Sequence, residues 1–206
     1  MLSDREARRV LAVAFADRGI AAPSLPELQG VQAVGRLEGT YGAAFGGANN
    51  WGAIQTHDKV PCVPGQSTEI TDHDAWGKPY QVCVRCYPSP EAGAADLVRE
   101  LYRRPNVPDA LRAGNADALA EAMHQSGYFA QRNVGAYAGW ISWGAQRIAT
   151  HIGEPWVVRR AVDLPASPPP PSSGGGTGIV VAAVAVVGLG IAARARVAQR
   201  AGRARA

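Results

Sequence analysis

The sequence predicts a mainly α-helical body with one small β-lobe, an α+β fold, followed by a single C-terminal transmembrane helix. Three observations predict it. Helix-start signals precede apolar residues at helical spacing at five places. Between the second and third of them, residues 55–80 are polar and carry Pro61, Pro64, Gly65, Gly77 and Pro79. Near the end, residues 177–193 form an uncharged apolar run of 17. A chain of 206 residues fits one globular domain with appendages.

Ser3 followed by Glu6 is a capping-box pattern, and Val10, Leu11, Ala14 and Phe15 continue it at helical spacing. Ser24 with Glu27 opens a second helix, whose expected apolar face is Leu28, Val31, Val34 (or Gly35) and Leu37. Gly39, Gly42, Gly46 and Gly47 end that helix, so Glu38 is expected at its C-terminal edge beside a Gly-rich loop. Residues 55–80 read as a loop-rich lobe with short strands, and Tyr80 to Tyr87, rich in β-branched and aromatic residues, reads as a strand. Ser89-Pro90 supplies an N-cap and an N1 proline to a helix presenting Leu97, Val98, Leu101 and Tyr102. Asn115 caps an Ala-rich helix that Gly127 ends, and Asn133 caps a longer one through Tyr137, Trp140, Ile141, Ile148 and Ile152.

The body, 1–164, ends near Leu164. A linker, 165–176, contains Pro168 to Pro171 and then Gly174 to Gly176, stiff first and flexible after. The apolar run 177–193 spans roughly 25 Å as a helix, at the short end for a bilayer, and arginines at its edge extend its reach by snorkelling. The basic tail, 194–206, completes the chain. Of 21 Lys and Arg, five lie in this tail with no acid beside them; the remaining sixteen face seventeen Asp and Glu. The net charge of +4 therefore belongs to the tail, and the nearly neutral body is not expected to bind nucleic acid.

Four stretches carry the chemistry. They are Glu38-Gly-Thr-Tyr-Gly42, Asn50-Trp-Gly-Ala53, Val84-Arg-Cys-Tyr-Pro-Ser89, and Gly127-Tyr128 with Tyr137-Ala138. In this order and spacing they resemble the glucosaminidase domains of glycoside hydrolase family 73, across roughly residues 5–150, with Val84 where the family usually has Phe. The resemblance implies a lysozyme-like fold with a saccharide cleft between a helical lobe and a β-lobe. It also implies peptidoglycan glycan strands as substrate and no cofactor or metal.

Glycoside cleavage needs a carboxylic acid to protonate the departing oxygen. Glu38 is the expected acid. The negative end of its helix and an apolar wall of Trp51, Tyr41 and Phe45 would raise its pKa. The resemblance implies a second carboxylate some 30 to 40 residues on. Glu69, Asp72 and Asp74 fall there, and Asp72 is the choice; the alternative is single-acid chemistry, as in lytic transglycosylases. Tyr137 matches the family tyrosine near the reacting sugar. Tyr41, Asn50, Trp51, Gln55, Trp76 and Tyr128 are the candidate substrate-binding residues; packing in the core or in turns is the competing role for them.

Three cysteines are too few for a disulfide-built scaffold. Cys83-x-x-Cys86 on a strand points its two side chains to opposite faces, against a shared metal or a thioredoxin-like pair. A zinc set of His57, Cys62, His73, Cys83 and Cys86 is one alternative. A disulfide from Cys62 to Cys83 or to Cys86 is favoured in an oxidising compartment.

The substrate that the resemblance implies lies outside the cytoplasmic membrane. The Arg-rich tail favours the cytoplasmic side, which puts the domain on the extracytoplasmic side of a single-pass membrane protein held in the lipid bilayer by residues 177–193. Asp4, Arg5, Glu6, Arg8, Arg9 and Asp17 break up any signal-peptide h-region. Export by a dedicated machine, an upstream start, or carriage in a phage virion membrane would each reconcile the two. A muramidase, a lytic transglycosylase and a non-catalytic peptidoglycan-binding protein are the alternatives to a glucosaminidase.

Overall fold

The computed structural model describes residues 1–56, 61–73, 78–129 and 133–160. The linker, the apolar run, the basic tail and Trp76 lie outside the described residues. Among the described residues no helix is long and apolar enough to cross a membrane.

The fold is mainly helical with one two-stranded antiparallel sheet. Helix α1 (Asp4–Ala16) starts at a complete capping box: Glu6 N–H donates to Ser3 Oγ at 3.3 Å and Ser3 N–H donates to Glu6 Oε2 at 2.7 Å. Helix α2 (Leu25–Gly39) is closed from one side: Glu27 Oε2 accepts from both the Ser24 N–H, at 2.8 Å, and its hydroxyl, at 2.7 Å. A single turn, α3 (Ala44–Gly47), follows. Strands β1 (Ser67–His73) and β2 (Pro79–Arg85) pair from Ser67↔Arg85 to His73↔Pro79. Helices α4 (Pro90–Tyr102), α6 (Ala116–Gln125) and α7 (Val134–Ile152) begin at Ser89, Asn115 and Asn133, whose side chains accept from the N–H three residues on. Each such cap contributes about 1 kcal/mol. Helix α5 (Val107–Ala113), only seven residues long, shows too few turns for apolar periodicity to reveal it in the sequence.

Helix α2 differs from the one-faced helix the sequence suggests. It contacts α1, α4, α5 and α7, and Gln29 to Gly35 are all buried. Leu28 and Leu37, expected on the buried face, are only half-buried, whereas Gln29 and Gln32 are fully enclosed. The glutamines are accommodated because their amides are bonded: Gln29 to Pro155 O and Val157 N–H, Gln32 to Asp4 O and Arg8. The core around α2 includes Leu11, Phe15, Leu97, Leu101, Met123 and Ile141, all at 0% exposure; burial of each large apolar side chain contributes about 1.5–3 kcal/mol.

Strand β2 is tied twice, once to the loop that leads into β1 and once to the segment that follows α3. Cys62 and Cys83 form a disulfide, one of the two pairings left open by the sequence, and Cys86 stays free. That bond takes two members of the alternative zinc set. The second tie is a bridge between Gln55 and Val84, in which Arg85 N–H donates to Ile54 O at 2.9 Å.

Asp4 gathers three elements at one corner. Its carboxylate accepts from Tyr41 at 2.6 Å and Arg36 at 2.8 Å, and lies 2.7 Å from His151 Nδ1. Burial pushes the Asp4 pKa up, but the hydrogen bonds from Tyr41 and His151 and the Arg36 charge more than offset it, so the net shift is below the ordinary 3.8. A depressed folded-state pKa stabilises the fold above the unfolded value and loses that effect as pH falls through the folded value. The stability gap between wild type and Asp4→Asn is therefore expected to be full at pH 5–6 and to shrink steadily below about 3.8. Urea melts at pH 6 and pH 3 measure it; a gap that widens in acid contradicts the assignment.

Candidate active site

Glu38 is the second-last residue of α2 and is 4% exposed. The chain leaves the helix abruptly. Thr40 (φ 48°) and Tyr41 (φ 55°) are left-handed, and a Cβ on Gly39 would fall 2.2 Å from Asn50 O, so only glycine lets the Asn50–Trp51 backbone lie across the helix end. Six non-glycine residues with positive φ occur among the described residues, and five of them, at 40, 41, 45, 49 and 53, lie just beyond Glu38. Backbone held in sparsely populated regions clusters at functional sites, where the surroundings over-determine it.

The hydroxyl of Tyr137, from the first turn of α7, donates to Glu38 Oε1. Tyr137 is 1% exposed, and Phe129 stacks on its ring with centroids 3.9 Å apart. Two sequence-predicted groups 99 residues apart are thus brought into direct contact at the end of a buried helix. Phe129 is a supporting residue that the sequence did not single out; the signal available was its place directly after Gly127-Tyr128.

Of the other predicted residues, Tyr41, Trp51, Asn50 and Tyr128 form the frame of this site, while Gln55 and Asp72 belong to the β-lobe. Tyr41 is 5% exposed, gives its hydroxyl to Asp4, and packs on Trp51 with centroids 5.2 Å apart. Burial and the Asp4 charge push its phenol pKa well up. Trp51, at 0% exposure, covers Gly35, where a Cβ would come within 2.9 Å of the indole. Asn50, also at 0%, donates to Ile54 O and Arg85 O and accepts from Ile54 N–H, closing the loop onto β2. The Tyr128 hydroxyl donates to Gly52 O at 3.1 Å. Gln55 is half-buried in the bridge to Val84. Asp72 sits in β1 at 1% exposure, and the Tyr80 hydroxyl donates to its Oδ2 at 2.5 Å. Trp76 lies outside the described residues.

Sequence reasoning missed Asp96, which organises the third motif. Its buried carboxylate accepts from Arg85 at 3.1 Å and from the Tyr87 hydroxyl, and it pairs with Arg99. Burial pushes the Tyr87 phenol up to about 12, with Arg85 acting the other way. Arg85 and Tyr87 are two apart, as a strand end requires for side chains to share a face, and Ser89 then caps α4. Among the described residues no cluster of three or more His, Cys, Asp or Glu is arranged to hold a metal.

No family model matches the chain, and no curated protein matches its sequence. Among solved structures it is similar to the glycoside hydrolase domain from Salmonella typhimurium FlgJ, at 20% identity over 74% of this chain and 92% of that one, with a TM-score of 0.48. A C-terminally truncated form of the same domain gives 20% identity, 72% and 99% coverage and a TM-score of 0.46. At that identity and TM-score the likeness carries no weight for function.

Proposed function

We propose that this protein is a peptidoglycan hydrolase that cleaves the glycan strand, with Glu38 as general acid. The observation that carries the reading is the Glu38–Tyr137 contact: a carboxyl 4% exposed at a helix end, held by a phenol from another helix, inside a frame built from all four motifs. In this reading Glu38 delivers a proton to the departing glycosidic oxygen as the anomeric bond breaks. The Tyr137 hydroxyl holds the carboxyl in place and faces the charge that develops on the sugar.

N-Acetylglucosaminidase chemistry, with Asp72 as the second carboxylate, is the leading form. The burial of Asp72 at 1% and its bond from Tyr80 favour a second form. There Glu38 acts alone and the 6-hydroxyl of the sugar attacks, leaving an anhydro end, as in a lytic transglycosylase. The product ends distinguish them. Digestion of purified peptidoglycan followed by mass spectrometry is expected to show reducing N-acetylglucosamine; anhydro ends would assign the single-acid form, and reducing N-acetylmuramic acid a muramidase. No new ends from several wall types would leave a glycan-binding module.

We further propose that residues 177–193 anchor the domain in a bilayer with the Arg-rich tail on the cytoplasmic side. The support is the length of the apolar run, the linker that separates it from the body, and the location of the substrate. A virion membrane fits the same architecture.

A further inference from the structure

The contact between Glu38 and Tyr137 depends on direction as well as distance. A phenol keeps its hydroxyl hydrogen in the plane of the ring, because the oxygen lone pair conjugates with the ring. Turning the ring about its long axis therefore leaves the oxygen in place and swings the hydrogen off its acceptor. A hydrogen bond weakens steeply once its angle falls below about 120°. Whatever fixes the plane of the Tyr137 ring thus decides whether its hydroxyl stays aimed at Glu38 Oε1.

Phe129 fixes that plane. Its ring lies 22° from parallel to the Tyr137 ring, with centroids 3.9 Å apart, nearer than the roughly 4.5–7 Å at which aromatic pairs usually settle. Trp140 meets the same phenol at 70°, with centroids 6.5 Å apart. One ring flat on its face and one edge-on leave the phenol little room to turn. Phe129 is itself placed from outside α7. Gly127 (φ 72°) turns the chain back at the end of α6, so that Tyr128 N–H donates to Met123 O at 2.8 Å. Tyr128 is then pinned twice: the Arg104 guanidinium lies 5.0 Å from its ring centroid, and its hydroxyl is on Gly52 O. His124 of α6 lies against Phe129, with centroids 5.5 Å apart. The carboxyl thus comes from α2, the phenol from α7, and the ring that orients the phenol from a third segment, tied to the loop that crosses the end of α2.

We infer that Phe129 is a positioning residue of the proposed reaction: it acts through Tyr137, keeping the hydroxyl on Glu38 while the proton passes to the glycosidic oxygen. This rests on the hydrolase reading. Core packing alone would also bury a side chain at position 129, but it asks only for apolar volume, which leucine supplies. Orienting the phenol asks for a flat face, which leucine lacks. The two roles therefore respond differently to the same substitution.

The test measures kcat and KM on soluble glycan strands for full-length wild type, Phe129→Leu, Phe129→Tyr, Tyr137→Phe and the double variant Phe129→Leu/Tyr137→Phe, each well below its Tm. Phe129→Leu is expected to lower kcat about fivefold with KM unchanged, and Phe129→Tyr, which keeps the flat ring, to restore most of it. Tyr137→Phe is expected to lower kcat about tenfold, and adding Phe129→Leu to it to change kcat less than about twofold, because the hydroxyl that Phe129 orients is already gone. Losses that multiply in the double variant overturn the inference and return Phe129 to core packing, since a smaller folded fraction lowers kcat whether or not Tyr137 has its hydroxyl. A wild-type kcat in Phe129→Leu overturns it as well. Both of those outcomes leave the hydrolase reading intact; no cleavage by wild type overturns that reading and this inference with it.

Discussion

Asp96→Ala is expected to lower the stability of the folded domain by about 3 kcal/mol, the low end of the range for breaking a buried ion pair, and Tm by about 6–12 °C for a chain of this size. The carboxylate is 3% exposed and takes Arg85, Tyr87 and Arg99 at once. Removing it strands the Tyr87 hydroxyl and unties β2 from α4. The low end applies because the Arg85 and Arg99 side chains are 31% and 52% exposed and water can solvate them. Arg99→Ala, which removes only the most exposed partner, is expected to cost less than about 1 kcal/mol. Thermal melts of the two variants beside wild type check both values; equal losses would contradict the role given to Arg85 and Tyr87. Because Arg85 O also accepts from Asn50, the Asp96→Ala variant should lose order in the loop beside Glu38 as well as in the hairpin.

Glu38→Gln is expected to reduce kcat about 10³-fold, the scale of a lost general acid, with Tm changed little. The amide is isosteric, and its oxygen can still accept from Tyr137. Tyr137→Phe keeps the ring that stacks on Phe129 and removes only the hydroxyl. It should lower kcat about tenfold, the worth of one hydrogen bond to a charged group. The two variants then separate proton delivery from positioning: a Tyr137→Phe loss as large as that of Glu38→Gln would place the phenol, not the carboxyl, at the reacting atoms.

The helices were legible where capping chemistry marked them. Ser3, Ser24, Ser89, Asn115 and Asn133 each stand at the start of an observed helix: at Ser3, Ser89, Asn115 and Asn133 the side-chain oxygen accepts from a backbone N–H, and at Ser24 the Glu27 carboxylate reaches back to the cap, chemistry that is local to the sequence. The contacts of α2 were not legible. Its burial on nearly all sides depends on Gly30, Gly35 and Gly39, each of which admits a neighbour to within 2.9 Å of where a Cβ would sit, and a hydrophobic period does not record missing side chains. A short strand was expected somewhere in 55–80, but the place of β1 was not legible, because Ser67–His73 is mostly polar and, among the described residues, pairs only along one edge.

At the site, the four motifs were readable as motifs but not as a structure. They turn out to recognise one another: Tyr41 packs on Trp51, Asn50 bonds Arg85 O, Tyr128 bonds Gly52 O, and Tyr137 bonds Glu38. Most of these residues are therefore spent on holding the loop across the end of α2. The acids that complete the frame, Asp4 and Asp96, lie outside the motifs, and in sequence they look like ordinary helix carboxylates. Asp96 carried one usable signal: it precedes Leu97 and Val98 on the apolar side of its helix, where a charge must find partners.

The most direct test of the central claim is digestion of purified peptidoglycan by the full-length protein, wild type beside Glu38→Gln, with soluble glycan fragments quantified and the fold of both checked by thermal melting. The account predicts fragment release by wild type and about a thousandfold less by the variant at equal Tm. Release by Glu38→Gln at the wild-type rate would contradict it and would return Glu38 to a purely structural partnership with Tyr137.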